Sequence, residues 1–188
     1  MSGVKVSLSG LKEQLSRLDE VPKKINRAAL MALNDTGETL RAQILKEMGE
    51  TVNIKRQVLR DRVRITKARR IADAVRIWAL KRGLVLSHFP HKQMYRTRKK
   101  GKRVRAGIRV NVGGTEKYLP GAFIVPSMGS SKTDGLIARR TGKDRLPIEV
   151  LYGPSPSQIL NTRLPDYREE GERVLRREVL RQLERADL

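Results

Sequence analysis

"ADAVRIWAL", residues 72–80, is where the chain changes its repeat. Ala74, Arg76 and Trp78 alternate with Val75, Ile77 and Ala79, the two-residue period of a half-buried strand. Upstream of this stretch the apolar residues recur at helical spacing. Downstream, to about residue 152, they alternate or run in short turn-bounded clusters, and the chain then closes on a helical pattern. Helices, an antiparallel sheet and a final helix are the order of an α+β fold.

Upstream, Leu8, Leu11, Leu15 and Leu18 predict a short amphipathic helix over 8–19, with Ser7 or Ser9 as cap. Val21-Pro22 opens a long helix. Its stripe is Ile25, Ala28, Ala29, Ala32, Leu33, Thr36, Leu40, Ile44 and Met48, and Gly49 is its expected stop. The alanines let a neighbour approach closely, whereas Gly37 weakens the middle by up to about 1 kcal/mol relative to Ala. A third, very basic helix is expected over 54–63, with Ile54, Val58 and Leu59 as its apolar face.

Downstream, "GLVLSHF" (83–89), "GIRVNV" (107–112), "KYLPGAFIV" (117–125), "GLIARR" (135–140) and "LPIEVLY" (146–152) read as strands. Thr141–Arg145 reads as a turn. Pro120 and Pro147 fit edges, bulges or strand starts, because proline cannot donate to a ladder. "GPSPSQ" (153–158) is a linker or helix start, and a mixed-charge helix over 166–186 turns Tyr167, Val174, Leu175, Val179 and Leu183 to one side. The expectation is one domain, 1–188, with a helical part (1–63), a sheet part (64–152), and a linker with C-terminal helix (153–188).

The chain has 41 Lys and Arg against 20 Asp and Glu in 188 residues, a net charge of +21. Such a chain repels itself and attracts polyanions: nucleic acid, an anionic membrane or an acidic protein ring. With two Phe and one Trp, the core is thin, and partner subunits are expected to supply part of the stability. There is no cysteine, hence no disulfide, thiolate zinc site or thiol nucleophile. "MSGVKVSLSG" has no continuous apolar run, so no secretory leader is expected. No window nears 18 uncharged apolar residues, so neither a transmembrane helix nor a membrane partner is expected.

The most biased segment is "KQMYRTRKKGKRVR", 92–105, with eight basic residues and no acidic one. Lys92, Arg96, Arg98, Lys99, Lys100, Lys102, Arg103 and Arg105 read as a mobile loop facing phosphate or an acidic protein surface; the plainer reading is a solvated hairpin tip. Tyr95 could stack on a base. His88 and His91 flank Pro90 without a third ligand, so no metal site is expected. Ser87 and His88 are adjacent on an expected strand and face opposite ways, so they make no nucleophile–base pair. Without a phosphate loop or paired carboxylates, no catalytic residue, cofactor or small-molecule substrate is expected.

Against this charge, "YLPGAFIVPS" (118–127) is neutral. Tyr118, Phe123, Ile124 and Val125 offer apolar contact, and Pro120 with Gly121 sets a bend. They read as a protein interface; the alternative is that Phe123 and Val125 fill the subunit's own core.

At Pro120–Ile124, followed by Gly142, Lys143, Arg145, Pro147, Ile148, Glu149 and Val150, the sequence resembles the minor tail protein Z family of lambda-like tailed phages. "AALMALN" (28–34) and "IKRQVLRDRVRITKA" (54–68) resemble that family's long-helix start and basic helix. The likeness covers most of residues 20–155; the C-terminal helix matches in character only. It implies a virion protein assembled in the host cytoplasm, a tail-completion subunit at the head-proximal neck that joins heads to tails without catalysis or cofactor. It implies a homo-oligomeric ring of six, with tail terminator, tail tube and head–tail connector proteins as neighbours and possible contact with the end of the genomic DNA. On this reading Gly142, Lys143, Arg145 and Pro147 form a turn motif, and most of the charge faces acidic neighbours with a minority facing DNA. The rival is a free basic nucleic-acid-binding protein.

Overall fold

The computed structural model describes residues 4–7, 23–98, 101–126, 134–142, 144 and 146–185, with backbone course alone for Val4–Ser7. The expected helix over 8–19, the Val21-Pro22 start, and Lys99, Lys100, Lys143 and Arg145 lie outside these residues. The chain packs as two compact units. Of the described residues, one takes those up to Glu47, Leu59–Lys81 and those from Pro156 on; the other takes Met48–Val58 and those between Arg82 and Ser155. These units cut across the partition at residues 63 and 152, because distant helices and strands share each core.

The first unit is built on α1 (Lys23–Val52), 30 residues and about 45 Å long. Its predicted stripe is buried beyond the half-buried Ile25: Ala28, Ala29, Ala32, Leu33, Leu40 and Ile44 are all at most 6% exposed. Thr36, also buried, returns its hydroxyl to the Ala32 carbonyl at 2.7 Å. Gly37 is more than a weak point. A Cβ there would lie 2.4 Å from Val75 Cγ1 and 2.9 Å from Ile65 Cδ1, so the bare backbone is what lets the sheet approach. One turn earlier, the Asn34 side chain donates to the Ala68 carbonyl at 3.1 Å and accepts from its N–H at 2.9 Å.

The expected helix over 54–63 is corrected. Only α2 (Arg56–Arg60) is helical, and Val63–Thr66 form strand β2. Val63, Ile65 and Thr66 are β-branched and favour strands. Val63 stands opposite Ala79, and both are fully buried. With β1 (Val4–Ser7) and β3 (Arg76–Ala79), β2 makes an antiparallel sheet ordered β1-β3-β2. Val63, Ile77 and Ala79 are buried on one face; Arg64, Thr66 and Arg76 are exposed on the other, where the Arg64 guanidinium lies 5.6 Å over the Trp78 ring.

The "GPSPSQ" stretch runs directly into a helix. Pro156 opens α3 (Pro156–Thr162), and α4 (Leu164–Arg185) follows. A first-turn proline forfeits only an N–H that would be unpaired anyway. The Ser157 N–H donates to the Leu80 carbonyl at 3.3 Å, beyond β3. Helix α4 buries Tyr167, Gly171, Val174, Leu175, Glu178 and Gln182. Leu175 joins Leu33, Ala68 and Val75 in a core cluster flanked by Leu30, Ile65 and Val179. Arg181 and Gln182 both donate to Asp35 on α1, at 2.9 and 2.7 Å.

In the second unit α1 passes Gly49 and stops at Asn53, whose φ is 56°. The Ile54 N–H bonds back to the Gly49 carbonyl at 3.0 Å. This is the Schellman closure, with Asn in the left-handed position. Strands β4 (His91–Thr97), β5 (Arg103–Val112) and β6 (Thr115–Pro120) form one antiparallel sheet, and β7 (Ala122–Ile124), β8 (Ile137–Arg140) and β9 (Ile148–Val150) another. Gly113 and Gly114, with φ of 60° and 81°, make the β5–β6 turn, a two-residue connection that needs positive φ twice.

"GLVLSHF" is not a strand. Leu86–His88 is a 3-10 turn. Leu84 and Leu86 do bond to the 151–154 backbone, but Val85 and Tyr152 make only an isolated bridge. The argument from opposite strand faces therefore does not apply to Ser87 and His88. Among the described residues, Met48, Val52, Ile54, Leu84, Leu86, Phe89, Ile108, Val110, Ala122, Ile137 and Ala138 are the buried apolar residues of this unit. Among the described residues no helix is long and apolar enough to cross a membrane.

Candidate assembly interface and basic hairpin

The neutral segment lies across two edge strands. Gly121, with φ of 71°, breaks "KYLPGAFIV" into β6 and β7, which belong to different sheets. Pro120 ends the edge strand β6, as its missing donor requires. Pro120 and Gly121 are exposed. Tyr118 is 50% exposed and donates to the Ala106 carbonyl at 3.0 Å. It lies across Gly107, where a Cβ would be 2.5 Å from the Leu119 carbonyl oxygen and 2.9 Å from the tyrosine ring.

Phe123, Ile124 and Val125 are half-buried. Phe123 pairs with the buried Ala138, and Arg140 stands 5.5 Å over its ring. The Ile124 N–H donates to the Gln93 side chain at 3.3 Å, and the Gln93 amide donates to the Gly107 carbonyl at 2.7 Å. Gln93 thus joins β4 and β5 to the end of β7. It is an uncharged member of the basic segment, and that break in charge was the available signal. No sequence signal marked Arg140 as the cap of Phe123.

The segment 92–105 is not a loop but two paired strands. Lys92 and Arg96 stand on β4, Arg103 and Arg105 on β5, and Arg98 and Lys102 at the connection. There the Arg98 N–H donates to the Lys102 carbonyl at 3.0 Å, and the Gly101 N–H to the Arg98 carbonyl at 2.9 Å. Alternating residues with high strand preference (Tyr95, Thr97, Val104) outweigh the like-charge repulsion that predicted a loop. Strand β6 reaches only as far as Gly107, opposite Pro120. Beyond it β4 and β5 pair alone: Tyr95 with Arg105, Arg96 with Val104, Thr97 with Arg103. The register slips at Met94/Tyr95, leaving Ala106 as the extra residue of a bulge.

Among the described residues, few carboxylates meet the charge on this hairpin. Lys92 stands directly opposite Arg109, an arrangement that destabilises a ladder, and Arg109 reaches Glu116 at 3.8 Å. Among the described residues, Arg96, Arg98, Lys102, Arg103 and Arg105 form no ion pair with a carboxylate. Arg103 lies 5.2 Å over the Tyr95 ring, so that ring already has a cationic partner on one face. Arg105 donates to the Ile124 carbonyl at 3.4 Å and so touches the neutral segment.

The turn motif is closed by Thr141, whose N–H and hydroxyl both reach the Pro147 carbonyl, at 3.4 and 3.2 Å; Gly142 and Pro147 are exposed. His91 is bound through Nδ1 to the Phe89 carbonyl at 2.8 Å. Among the described residues no three His, Cys, Asp or Glu side chains gather as a metal site.

Among the described residues, two titrating groups are shifted, both in the first unit. Burial, with the neighbouring Glu47 carboxylate, pushes the Tyr167 hydroxyl up to about 12. The Arg70 and Arg69 backbone N–H groups, at 2.9 and 3.1 Å, hold the Asp73 carboxyl below its ordinary value.

The family model described as prophage minor tail protein Z matches residues 8–186 of the chain. No curated protein and no solved structure matches it.

Proposed function

The chain belongs to the prophage minor tail protein Z family, which makes it a structural component of a phage tail, and from that premise we propose that it is a tail-completion subunit needed for head–tail joining. It acts at the head-proximal neck, after assembly in the host cytoplasm, as a homo-oligomeric ring of six between the tail tube or terminator and the head–tail connector. It does no chemistry and needs no cofactor.

The observation that carries this reading is the placement of the neutral segment. Tyr118, Pro120 and Gly121 are exposed on and beside an edge strand, with Phe123, Ile124 and Val125 half-covered next to them. A ring subunit meets its two neighbours with different surfaces, and this is the uncharged one. The Gly142–Pro147 turn remains for the other proteins of the neck.

Phe123→Arg and Tyr118→Arg test the interface. Both subunits are expected to fold but to be left out of particles, and electron micrographs should then show separate full heads and tails. Normal joining with both variants overturns the proposal. If Phe123→Arg alone fails to fold, that residue belongs to the subunit's own core, and Tyr118→Arg decides.

A further inference from the structure

The basic hairpin is a ribbon with cations on both faces, and that narrows what it can meet. Past Gly107 it is two strands wide. Adjacent strands lie about 4.8 Å apart and rise about 3.4 Å per residue, so the arm projects about 14–17 Å from the Met94–Gly107 pair to the connection. Successive strand residues face opposite ways. Arg96 therefore lies on one side with Val104, while Arg103 and Arg105 lie on the other with Tyr95 and Thr97. Arg98 and Lys102 sit at the connection. All five cations are exposed. Between Asp73 and Glu116 the sequence holds no acidic residue at all.

An acidic protein face would be met by one side of such a ribbon and leave the other side's cations in water. A groove walled by phosphate on both sides uses both. The major groove of B-form DNA is about 12 Å wide and 8.5 Å deep and admits a two-stranded ribbon. We propose that the arm formed by Tyr95–Arg98 and Lys102–Arg105 seats in the groove of duplex DNA and neutralises phosphates on both strands, without reading sequence. Tyr95, lying beside Arg103, packs against the sugar–phosphate wall in place of stacking on a base. The inference goes beyond the head–tail reading and does not depend on it: the binding follows from the arm, whether or not the subunit forms a ring.

The test is fluorescence anisotropy of the full chain on a short mixed-sequence duplex across a KCl series. Each phosphate neutralised on B-DNA contributes about 0.9 to the slope of log K against log salt. Replacing Arg96, Arg103 and Arg105 by Gln should therefore lower the magnitude of the slope by about 2.7. The same three positions as Lys should keep it, and a control with Arg168, Arg176 and Arg185 as Gln should leave it unchanged. Circular dichroism verifies the fold of each variant. Equal slope losses in the arm and control variants mean diffuse attraction by net charge and overturn the proposal. Displacement of the duplex by poly-glutamate as readily as by excess DNA assigns the arm to an acidic protein and also overturns it. An arm variant that unfolds leaves the decision to the Lys variant and the poly-glutamate competition.

Discussion

Gly37→Ala separates two physical effects of opposite sign. In an exposed helix interior this change stabilises, since Gly is about 1 kcal/mol worse than Ala. Here the new methyl would stand 2.4 Å from Val75 Cγ1 and 2.9 Å from Ile65 Cδ1. Ordinary carbon contact begins near 3.5 Å, so α1 and the 65–75 segment must part by about 1 Å. Val75 is 1% exposed in the core cluster, and its β-branched side chain has few rotamers to retreat into. Overpacking of this kind costs about 1–3 kcal/mol. Net of the helix gain, Gly37→Ala should destabilise by up to about 2 kcal/mol, lowering Tm by up to about 8 °C for a chain of this size. In a Val75→Ala background the nearer clashing methyl is gone and only the movable end of Ile65 remains, so the same change should become neutral or stabilising, a reversal that a double-mutant cycle measures directly. Urea unfolding of the four proteins is the assay. If Gly37→Ala is at least as stable as wild type with Val75 intact, the close approach of α1 and the sheet is not what requires this glycine.

Two further perturbations probe other contacts. Tyr167 has a folded-state value of about 12 against 10.0 for the free side chain. It stays neutral in the folded chain while the unfolded chain ionises, so it adds nothing against folding below pH 10 and favours unfolding progressively as pH rises toward 12. The slope is about 1.4 kcal/mol per pH unit in that window; Tyr167→Phe should be the more stable protein there and near-equal at pH 7, and parallel curves up to pH 12 would refute the buried hydroxyl's role. Gly107→Ala should cost about 1–3 kcal/mol, because backbone, not only the movable Tyr118 ring, blocks the new methyl, and amide exchange should rise first at the β5–β6 pairs.

Much of the first unit could be read from spacing alone. The stripe of α1 and the apolar side of α4 appear where the 3.6-residue repeat put them, because a long amphipathic helix has one way to bury itself. The short elements were less legible. Val63 was expected to end a basic helix over 54–63, since so short a stretch carries too few repeats to tell one period from another; pairing with β3 made Val63–Thr66 a strand. "GLVLSHF" had strand composition but only isolated pairing partners. In the candidate site, like charge predicted a loop at 92–105, whereas alternation within it produced a ribbon.

What the amino-acid sequence determined by itself was local or summed over the chain: the α+β order, the long helices, the positive charge, the Gly121 bend and the family to which the motifs belong. Tertiary structure decided what depends on distant segments meeting: that Gly37 must be bare because Val75 comes up against it, that Gln93 ties the basic hairpin to Ile124, and that the hairpin outruns its third strand. The reason is physical. Periodicity and composition record how each residue meets water and its near neighbours, whereas close approach across tens of residues is set only when two surfaces pack.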